Sequence, residues 1–323
     1  MHISVPASSA NLGPGFDTLA LALDIRLHAT VEWSPEKVLL REFKSPLEWW
    51  HNAVEPNTNY GGTLLDFSID HPGEPNLLAT SFVKAILRAG PEYHLPKELK
   101  CAVKSDIVIA QGLGSSAAAT VAGAALAEFW RKGDASKDVV FQDAIEIEGH
   151  PDNAAAASYG GLQAALLIGN ETRASTVKMH DSIKVGLCVP RETLKENTNA
   201  TRSWLPEQLK RKEAVSNQRS LLTLLWGLRA ADAKAIAAGF EDRLHVPHRK
   251  SMIAGYEDIV RSAIEAGAFG ATISGAGGSM IALGTGDMQQ VAEAMQAAYK
   301  RHGMESLALT PTIDHKGLIV EKL

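Results

Sequence analysis

Residues 111–130, QGLGSSAAATVAGAALAEFW, join a loop of small residues directly to a segment of high helix propensity. The loop contains two glycines and two serines and no carboxylate, whereas the following residues are mostly alanine. Glycine lets a backbone approach a bound group closely, and a helix's first turn offers unpaired N–H groups at the positive end of its dipole. The pattern predicts a helix over 115–130, capped by Ser115, whose first turn holds an anion such as phosphate.

Two common phosphate-loop patterns fit this segment poorly. A Walker loop needs a Gly-Lys pair, and the chain has none. GLGSSA matches the dinucleotide pattern, but a further helix follows where that fold needs a second strand. A tight turn before a closely packed helix remains the structural alternative.

The composition limits the partners that this protein can have. The 323 residues suit one large or two ordinary domains, and the net charge of −5 gives no broad basic surface for nucleic acid or an anionic membrane. Cys101 and Cys188 are the only cysteines and lie far apart, which indicates a reducing compartment. The first residues lack a signal-peptide pattern, and the longest apolar run, 117–127, is too short to span a bilayer. We expect a cytoplasmic protein without nucleic-acid or membrane partners.

The order of elements indicates an α+β class with a boundary near 170–182. Strand patterns dominate the start, GGLQAALLIG at 160–169 predicts a buried strand, and a strand–turn–strand pattern surrounds 274–278. Residues 34–75, with Trp49 and Trp50, predict an excursion with some strand content. HVPH at 245–248 is interpreted as a surface loop rather than a metal site.

Three further clusters accompany the glycine loop. They are SANLGPGFD near the start, EGHPDN with a following GG near 148, and ATISGAGGSM near 274. Each alone is typical of a turn or a capped helix. Together, in this order and over nearly the whole chain, the four segments resemble the GHMP kinases. SANLGPGFD and GHPDN resemble most the members that phosphorylate L-homoserine.

The resemblance implies a two-domain fold and an ATP-dependent activity. Residues 1–175 would form a ribosomal-protein-S5-domain-2-like α/β domain with a left-handed crossover that binds ATP, and 176–323 a ferredoxin-like α/β sandwich. The expected reaction is Mg²⁺-dependent phosphorylation of L-homoserine by ATP, for threonine biosynthesis. A homodimer is an expectation from the family alone. The alternatives are another GHMP kinase, such as one of a mevalonate-pathway intermediate, or a non-catalytic nucleotide-binding member.

The resemblance also implies the residues on the nucleotide side. Ser116 and Glu148 would hold Mg²⁺, with Glu146 as a substitute for the glutamate, since one carboxylate and one hydroxyl suffice beside phosphate oxygens and water. The implied ATP contacts are Gly112, Leu113, Gly114, Ser115, Ser116, Ala117 and Asn76.

An amino-acid substrate needs a carboxylate for its ammonium and guanidinium groups for its carboxylate. Arg249 is preferred to Arg243 as the second guanidinium, and the N–H groups of Gly275 and Gly277 are expected to face phosphate or substrate. The implied substrate contacts are Asn11, Asp17, His150, Asp152, Asn153, Thr198, Arg202, Arg249 and Gly275.

The catalytic set implied by the resemblance is Asn153, Asp152 and Arg202. Asn153 would hold the hydroxyl during direct in-line transfer without a strong base, and Asp152 is the alternative base. One departure from the family pattern is Gly278, which stands where proline is common and is expected to loosen that turn.

Overall fold

The computed structural model describes residues 1–39, 60–61, 77–88, 93–192 and 202–323. Within them, a seven-stranded sheet with helices and a four-stranded sheet with helices form two units. The strands are β1 (His2–Asn11), β2 (Gly15–Trp33), β3 (Lys37–Leu39), β4 (Tyr60–Gly61), β5 (His94–Pro96), β6 (Leu99–Ser105), β7 (Leu162–Ile168), β8 (Glu171–Val177), β9 (Lys184–Pro190), β10 (Gly270–Ile273), β11 (Met280–Gly284), β12 (Ser306–Leu309) and β13 (Ile319–Glu321). The helices are α1 (Leu77–Leu87), α2 (Ser115–Lys132), α3 (Lys137–Glu148), α4 (Asp152–Tyr159), α5 (Arg211–Ala230), α6 (Ala233–Gly239), α7 (Val246–Arg249), α8 (Tyr256–Glu265) and α9 (Met288–Arg301).

The first sheet is built around the long strand β2. The order is β13-β1-β2-β6-β4, and β7 also pairs with β2 and carries β8 on its other side. β6 alternates buried and exposed residues because one of its faces lies on the core, whereas β1 is buried along almost its whole length. β1 and β2 form an antiparallel hairpin, so the short loop between them stands at one edge of the sheet.

The alanine-rich helix α2 lies at the centre of this unit. It contacts α1, α3, α4 and β1. Its side chains are small enough for neighbouring backbones to approach closely: a Cβ added at Gly123 would lie 2.2 Å from the carbonyl oxygen of Leu78 in α1. The predicted helix is confirmed, and the close packing offered as the structural alternative is present as well.

The second sheet has the order β10-β11-β9-β12 with all neighbours antiparallel. Numbered along this unit, the order is 2-3-1-4, with helices between the first and second strands and between the third and fourth. This is the ferredoxin-like arrangement expected from the sequence. The turn between β10 and β11 stands at the edge that faces the first unit.

The first sheet includes residues from beyond the predicted boundary at residue 175. β8 crosses residue 175 and belongs to the first sheet, and β13 pairs with β1. The division into 1–175 and 176–323 therefore stays a prediction, and the first sheet includes a strand from beyond it. The prediction of a buried strand at 160–169 is partly wrong, since β7 ends in exposed apolar residues, with Leu167 75% exposed.

No helix in the described ranges is both long enough and apolar enough to cross a membrane.

Replacing Gly123 by alanine tests the close contact between α1 and α2. Alanine is the better helix former, but its Cβ would overlap backbone that cannot rotate away. We expect Gly123→Ala to lower the free energy of unfolding by roughly 1–3 kcal/mol in urea titrations, as overpacked cores do. Gly286→Ala is the control, because its Cβ would meet nothing within 4 Å. Equal stability of the two variants would contradict the packing described.

Candidate active site

The glycine loop and the β10–β11 turn press their backbones together at the junction of the two units. Gly112 has φ +74°, and a Cβ there would lie 2.0 Å from the carbonyl oxygen of Ser274. The Ser274 hydroxyl lies 2.7 Å from the carbonyl oxygen of Gly112 and 2.8 Å from the Ser9 hydroxyl in β1. The motif segments from the start, the middle and the end of the sequence therefore meet at one side chain.

Gly275 and Gly277 use their N–H groups inside the protein. The N–H of Gly275 donates to Ala10 O at 3.1 Å, and that of Gly277 donates to Ser274 O at 3.2 Å. The expectation that these groups face phosphate or substrate is therefore wrong in this structure. Gly275 instead offers its carbonyl oxygen, which accepts from Asn11 Nδ2 at 2.8 Å and from Arg249 Nη1 at 3.4 Å.

The loop between β1 and β2 is held in a strained conformation. Three non-glycine residues in or beside it have positive φ: Asn11 (+71°) at the end of β1, Leu12 (+44°) in the loop and Asp17 (+53°) near the start of β2. Such values persist only where neighbours impose them. The Asn11 amide does so locally, because its oxygen accepts from the Asp17 N–H at 3.1 Å while its nitrogen donates to Gly275. Both ends of the amide are thus engaged within the protein.

Residues of the second unit also form hydrogen bonds with this loop. His245 Nε2 lies 2.8 Å from Gly13 O, and Asn217 Nδ2 donates to Pro14 O at 3.0 Å. A carbonyl can only accept, so His245 carries its proton on Nε2. His245 is fully buried, and its Nδ1 has no hydrogen-bond partner among the described residues. The prediction of a surface loop at 245–248 is wrong at this residue.

The first turn of α2 has the backbone and charge that favour an anion. Its first backbone bond runs from Ala118 N to Gly114 O, so the N–H groups of 115–117 precede the helical ladder. The helix has no acidic residue in its first turn. The predicted cap at Ser115 is wrong: Gly114, with φ +66°, precedes the helix, and Ser115 is its first residue. A Cβ at Gly114 would lie 2.1 Å from the Ser8 hydroxyl, so packing also requires glycine here.

Glu148 and Ser116 lie together beside this turn. Glu148, the last residue of α3, accepts from the Ser116 hydroxyl at 3.0 Å and from the Thr120 hydroxyl at 2.6 Å. The alternative glutamate, Glu146, is instead paired with Arg88. Searched over the described residues, the chain has no group of three His, Cys, Asp or Glu that could enclose a metal. One carboxylate beside one hydroxyl fits Mg²⁺, which keeps water and phosphate oxygens as its other ligands.

Two arginines flank the Phe16 ring in the adjacent pocket. The guanidinium carbons of Arg202 and Arg249 each lie 5.3 Å from the ring centroid. Arg202 forms a two-pronged ion pair with Asp17, at 2.6 and 2.8 Å. His245 lies against the same ring, with centroids 5.5 Å apart.

Arg249 is buried without a full set of acceptors. Its side chain is among the largest fully buried ones, and its Nε has no partner among the described residues. Burial and the nearby Arg202 charge lower the pKa of Arg249 to about 10. A buried guanidinium with an unpaired N–H group favours an anion as its neighbour.

The start of α4 places Asp152 within electrostatic reach of Arg202 and Arg249, with His150 and Asn153 beside it. His150 Nδ1 lies 3.3 Å from Asp152 Oδ1, and this hydrogen bond raises the pKa of His150 against the opposing effect of burial. Asp152 Oδ1 also accepts from the Asn153 N–H at 2.8 Å. The Asn153 side-chain oxygen accepts from the Ser8 hydroxyl at 2.8 Å.

Two predicted site residues, Asn76 and Thr198, lie outside the described residues. Arg243, the less favoured guanidinium, is exposed and paired with Glu241. Sequence reasoning missed four residues that contact the others, and each had only a weak signal. Phe16 lies inside the first motif and Ser8 directly precedes it, Thr120 follows Ser116 by one turn of α2, and His245 lies four residues before Arg249.

Two family models match the chain: "GHMP kinases N terminal domain" over residues 78–161 and "GHMP kinases C terminal" over residues 224–301. With the two-unit fold and the joined motif loops, these matches show that the chain belongs to the GHMP kinases, which are ATP-dependent kinases of small molecules. Its curated relatives place it within the homoserine kinase family of that superfamily.

The relatives align over almost their whole length. A homoserine kinase of Parasynechococcus marenigrum is 35% identical over 95% of this chain and 91% of its own. One of Gloeobacter violaceus is 34% identical over 99% of both. A crystal structure of homoserine kinase from Cytophaga hutchinsonii matches with a TM-score of 0.81 at 23% identity, covering 99% of this chain and 97% of its own. Mevalonate kinase of L. major matches with a TM-score of 0.63 at 14% identity, covering 96% and 94%, which is a likeness of fold.

His245→Gln tests whether a neutral imidazole holds the β1–β2 loop. Burial lowers the pKa of His245 below its ordinary 6.5. Below that pH the unfolded chain binds a proton that the folded chain does not. The contribution of His245 to the free energy of unfolding is therefore complete above about pH 6.5 and declines in acid. Glutamine keeps the donor without titrating. Between about pH 7.5 and 5.5, urea unfolding should show a larger loss of stability in the native chain than in the variant. Parallel pH profiles would contradict this assignment.

Proposed function

We propose that this protein transfers the γ-phosphoryl group of ATP to the hydroxyl of L-homoserine, giving O-phospho-L-homoserine and ADP for threonine synthesis. The observation that carries the substrate class is the pocket at Phe16, where one carboxylate and two guanidinium groups converge. A zwitterion with one ammonium and one carboxylate complements that set of charges. An isoprenoid acid carries a carboxylate but no ammonium, so it complements only part of that set of charges.

Arg249 and Arg202 would hold the substrate carboxylate, and Asp17 its ammonium. Arg249 Nε has no acceptor among the described residues, so a substrate carboxylate there would supply a hydrogen bond that they do not. Asp17 and Arg202 already lie in contact, which presents opposite charges side by side. The substrate's two charged groups would take over part of that ion pair, and His150 beside Asp152 would border the same pocket.

The hydroxyl would meet the nucleotide at the start of α4. Its oxygen forms the new bond to the γ-phosphorus while the bond to the bridging oxygen breaks, and that electron pair leaves with ADP. The hydroxyl proton passes to an oxygen of the transferred group, since such transfer needs positioning more than a strong base. Asn153 would place the hydroxyl, with Arg202 and Asp152 beside it. The N–H groups of 115–117 would hold the phosphates.

Ser116 and Glu148 would hold Mg²⁺ beside the phosphates. The ion would neutralise phosphate charge and orient the transferred group. Thr120 would keep the Glu148 carboxylate turned toward Ser116, since it donates to the other carboxylate oxygen. A homodimer and a cytoplasmic location, together with the division at residue 175, belong to the same proposal.

A coupled assay of ADP release with homoserine, mevalonate and galactose tests the activity. We expect turnover with homoserine well above that with the other two alcohols, because only homoserine fills both charged subsites. Preference for mevalonate would favour another kinase of the superfamily, and no ADP with any alcohol would favour a non-catalytic nucleotide-binding protein. In the same assay Asn153→Ala should be impaired, and unchanged turnover would remove Asn153 from the mechanism.

Arg249→Met tests the carboxylate subsite separately from folding. Loss of charged hydrogen bonds to the substrate should lower kcat/KM for homoserine about a hundredfold, with KM for ATP nearly unchanged. Because the guanidinium is buried and underpaired, we expect the free energy of unfolding to stay the same or to rise. Arg243→Met is the matched control and should change neither quantity by much. A normal KM for homoserine in Arg249→Met would contradict this role.

A further inference from the structure

Ser8 occupies the space between the glycine loop and Asn153. It lies in β1 and is fully buried. Its N–H donates to Leu113 O at 3.0 Å, and its hydroxyl oxygen lies where a Cβ at Gly114 would come within 2.1 Å. Ser8 therefore contacts the phosphate loop with its backbone and Asn153 with its side chain.

The hydroxyl of Ser8 sets which end of the Asn153 amide faces it. Its contact with Asn153 Oδ1 is 2.8 Å, the usual length for an O–H···O bond, and its proton has no other acceptor among the described residues. The reverse orientation would leave that proton unpaired in a fully buried position, which is unfavourable. Asn153 Nδ2 consequently turns away from Ser8, and it donates to no described residue.

We propose that Ser8 is a positioning residue for phosphoryl transfer, which fixes the Asn153 side chain with its NH₂ group directed at the reacting hydroxyl. This inference rests on the proposed function, in which Asn153 lies at that hydroxyl. It adds the direction of the hydrogen bond. Asn153 would donate to the oxygen of the substrate hydroxyl, whose own proton then points away from Asn153. The amide thereby orients a lone pair of the substrate oxygen, and the proton is free to leave toward the phosphoryl group.

A double-mutant cycle between Ser8 and Asn153 tests the coupling. Ser8→Ala should lower kcat about tenfold, the effect of one neutral hydrogen bond in the transition state, with KM for ATP changed less than about twofold. In the Asn153→Ala background the same change should have no further effect, because there is no amide left to orient. Equal effects in both backgrounds would overturn the proposal, as would an unchanged kcat in Ser8→Ala.

Ser4→Ala is the matched control for loss of a buried serine hydroxyl from β1. Ser4 is buried in the same strand and accepts from Arg26 Nε at 2.7 Å, remote from Asn153. We expect Ser4→Ala to leave kcat unchanged both in the native chain and in the Asn153→Ala background. Thermal unfolding of each variant separates a loss of fold from a loss of turnover.

A second measurement needs no turnover. In protein labelled with ¹⁵N at asparagine, the side-chain NH₂ signal of Asn153 is identified by its loss in Asn153→Ala. Ser8→Ala should shift that signal and speed its amide rotation, whereas Ser4→Ala should not. An unmoved signal would overturn the contact even if the kinase reaction is as proposed. If the native chain forms no ADP with homoserine, the proposed function fails and the role in transfer with it, although the signal still reports whether Ser8 orients the amide.

Discussion

The arrangement of the site depends on one contact between backbones, where Gly112 meets the turn that begins at Ser274. No side chain larger than hydrogen fits at Gly112, and the Ser274 hydroxyl joins this loop to β1. The turn itself is anchored in the second core, since the buried Tyr299 donates its hydroxyl to Gly278 O at 2.6 Å. The two units are thus joined at the place where we propose that phosphate and acceptor bind, and folding itself would then set their alignment.

The charged pocket beside that contact is assembled from the same two units. Phe16 and Asp17 come from the start of β2, while Arg249 comes from α7 and Arg202 from the segment before α5. Burial lowers the pKa of Arg249, and the charge of Arg202 beside the same ring lowers it further. A substrate carboxylate would offset the repulsion between the two guanidinium charges. The binding site would thus be preorganised for an anion.

Much of this could be predicted from the sequence, because glycines, caps and apolar periodicity act locally. The helix after the glycine loop, the α+β class and the ferredoxin-like unit are confirmed, and the order of the four motifs was enough to indicate the family. Contacts across the units were not predictable. Gly278 shows why: it has φ +86°, which proline cannot adopt, and a Cβ there would lie 2.0 Å from Gln111 Oε1, so its place in the turn depends on a partner far away in the sequence. The burial of His245 and the engaged N–H of Gly275 have the same origin.

The pairing of β13 with β1 places the two ends of the sequence side by side, with Glu321 opposite His2. During synthesis on the ribosome, β1 is made before every other described strand of its sheet, and its outer neighbour β13 is made after them. Until then the strand that carries Ser8 and Ser9 has one unpaired edge, which is open to wrong pairing with another chain. The pairing of this strand is therefore complete only after β13 has been synthesised, although its other contacts can form much earlier.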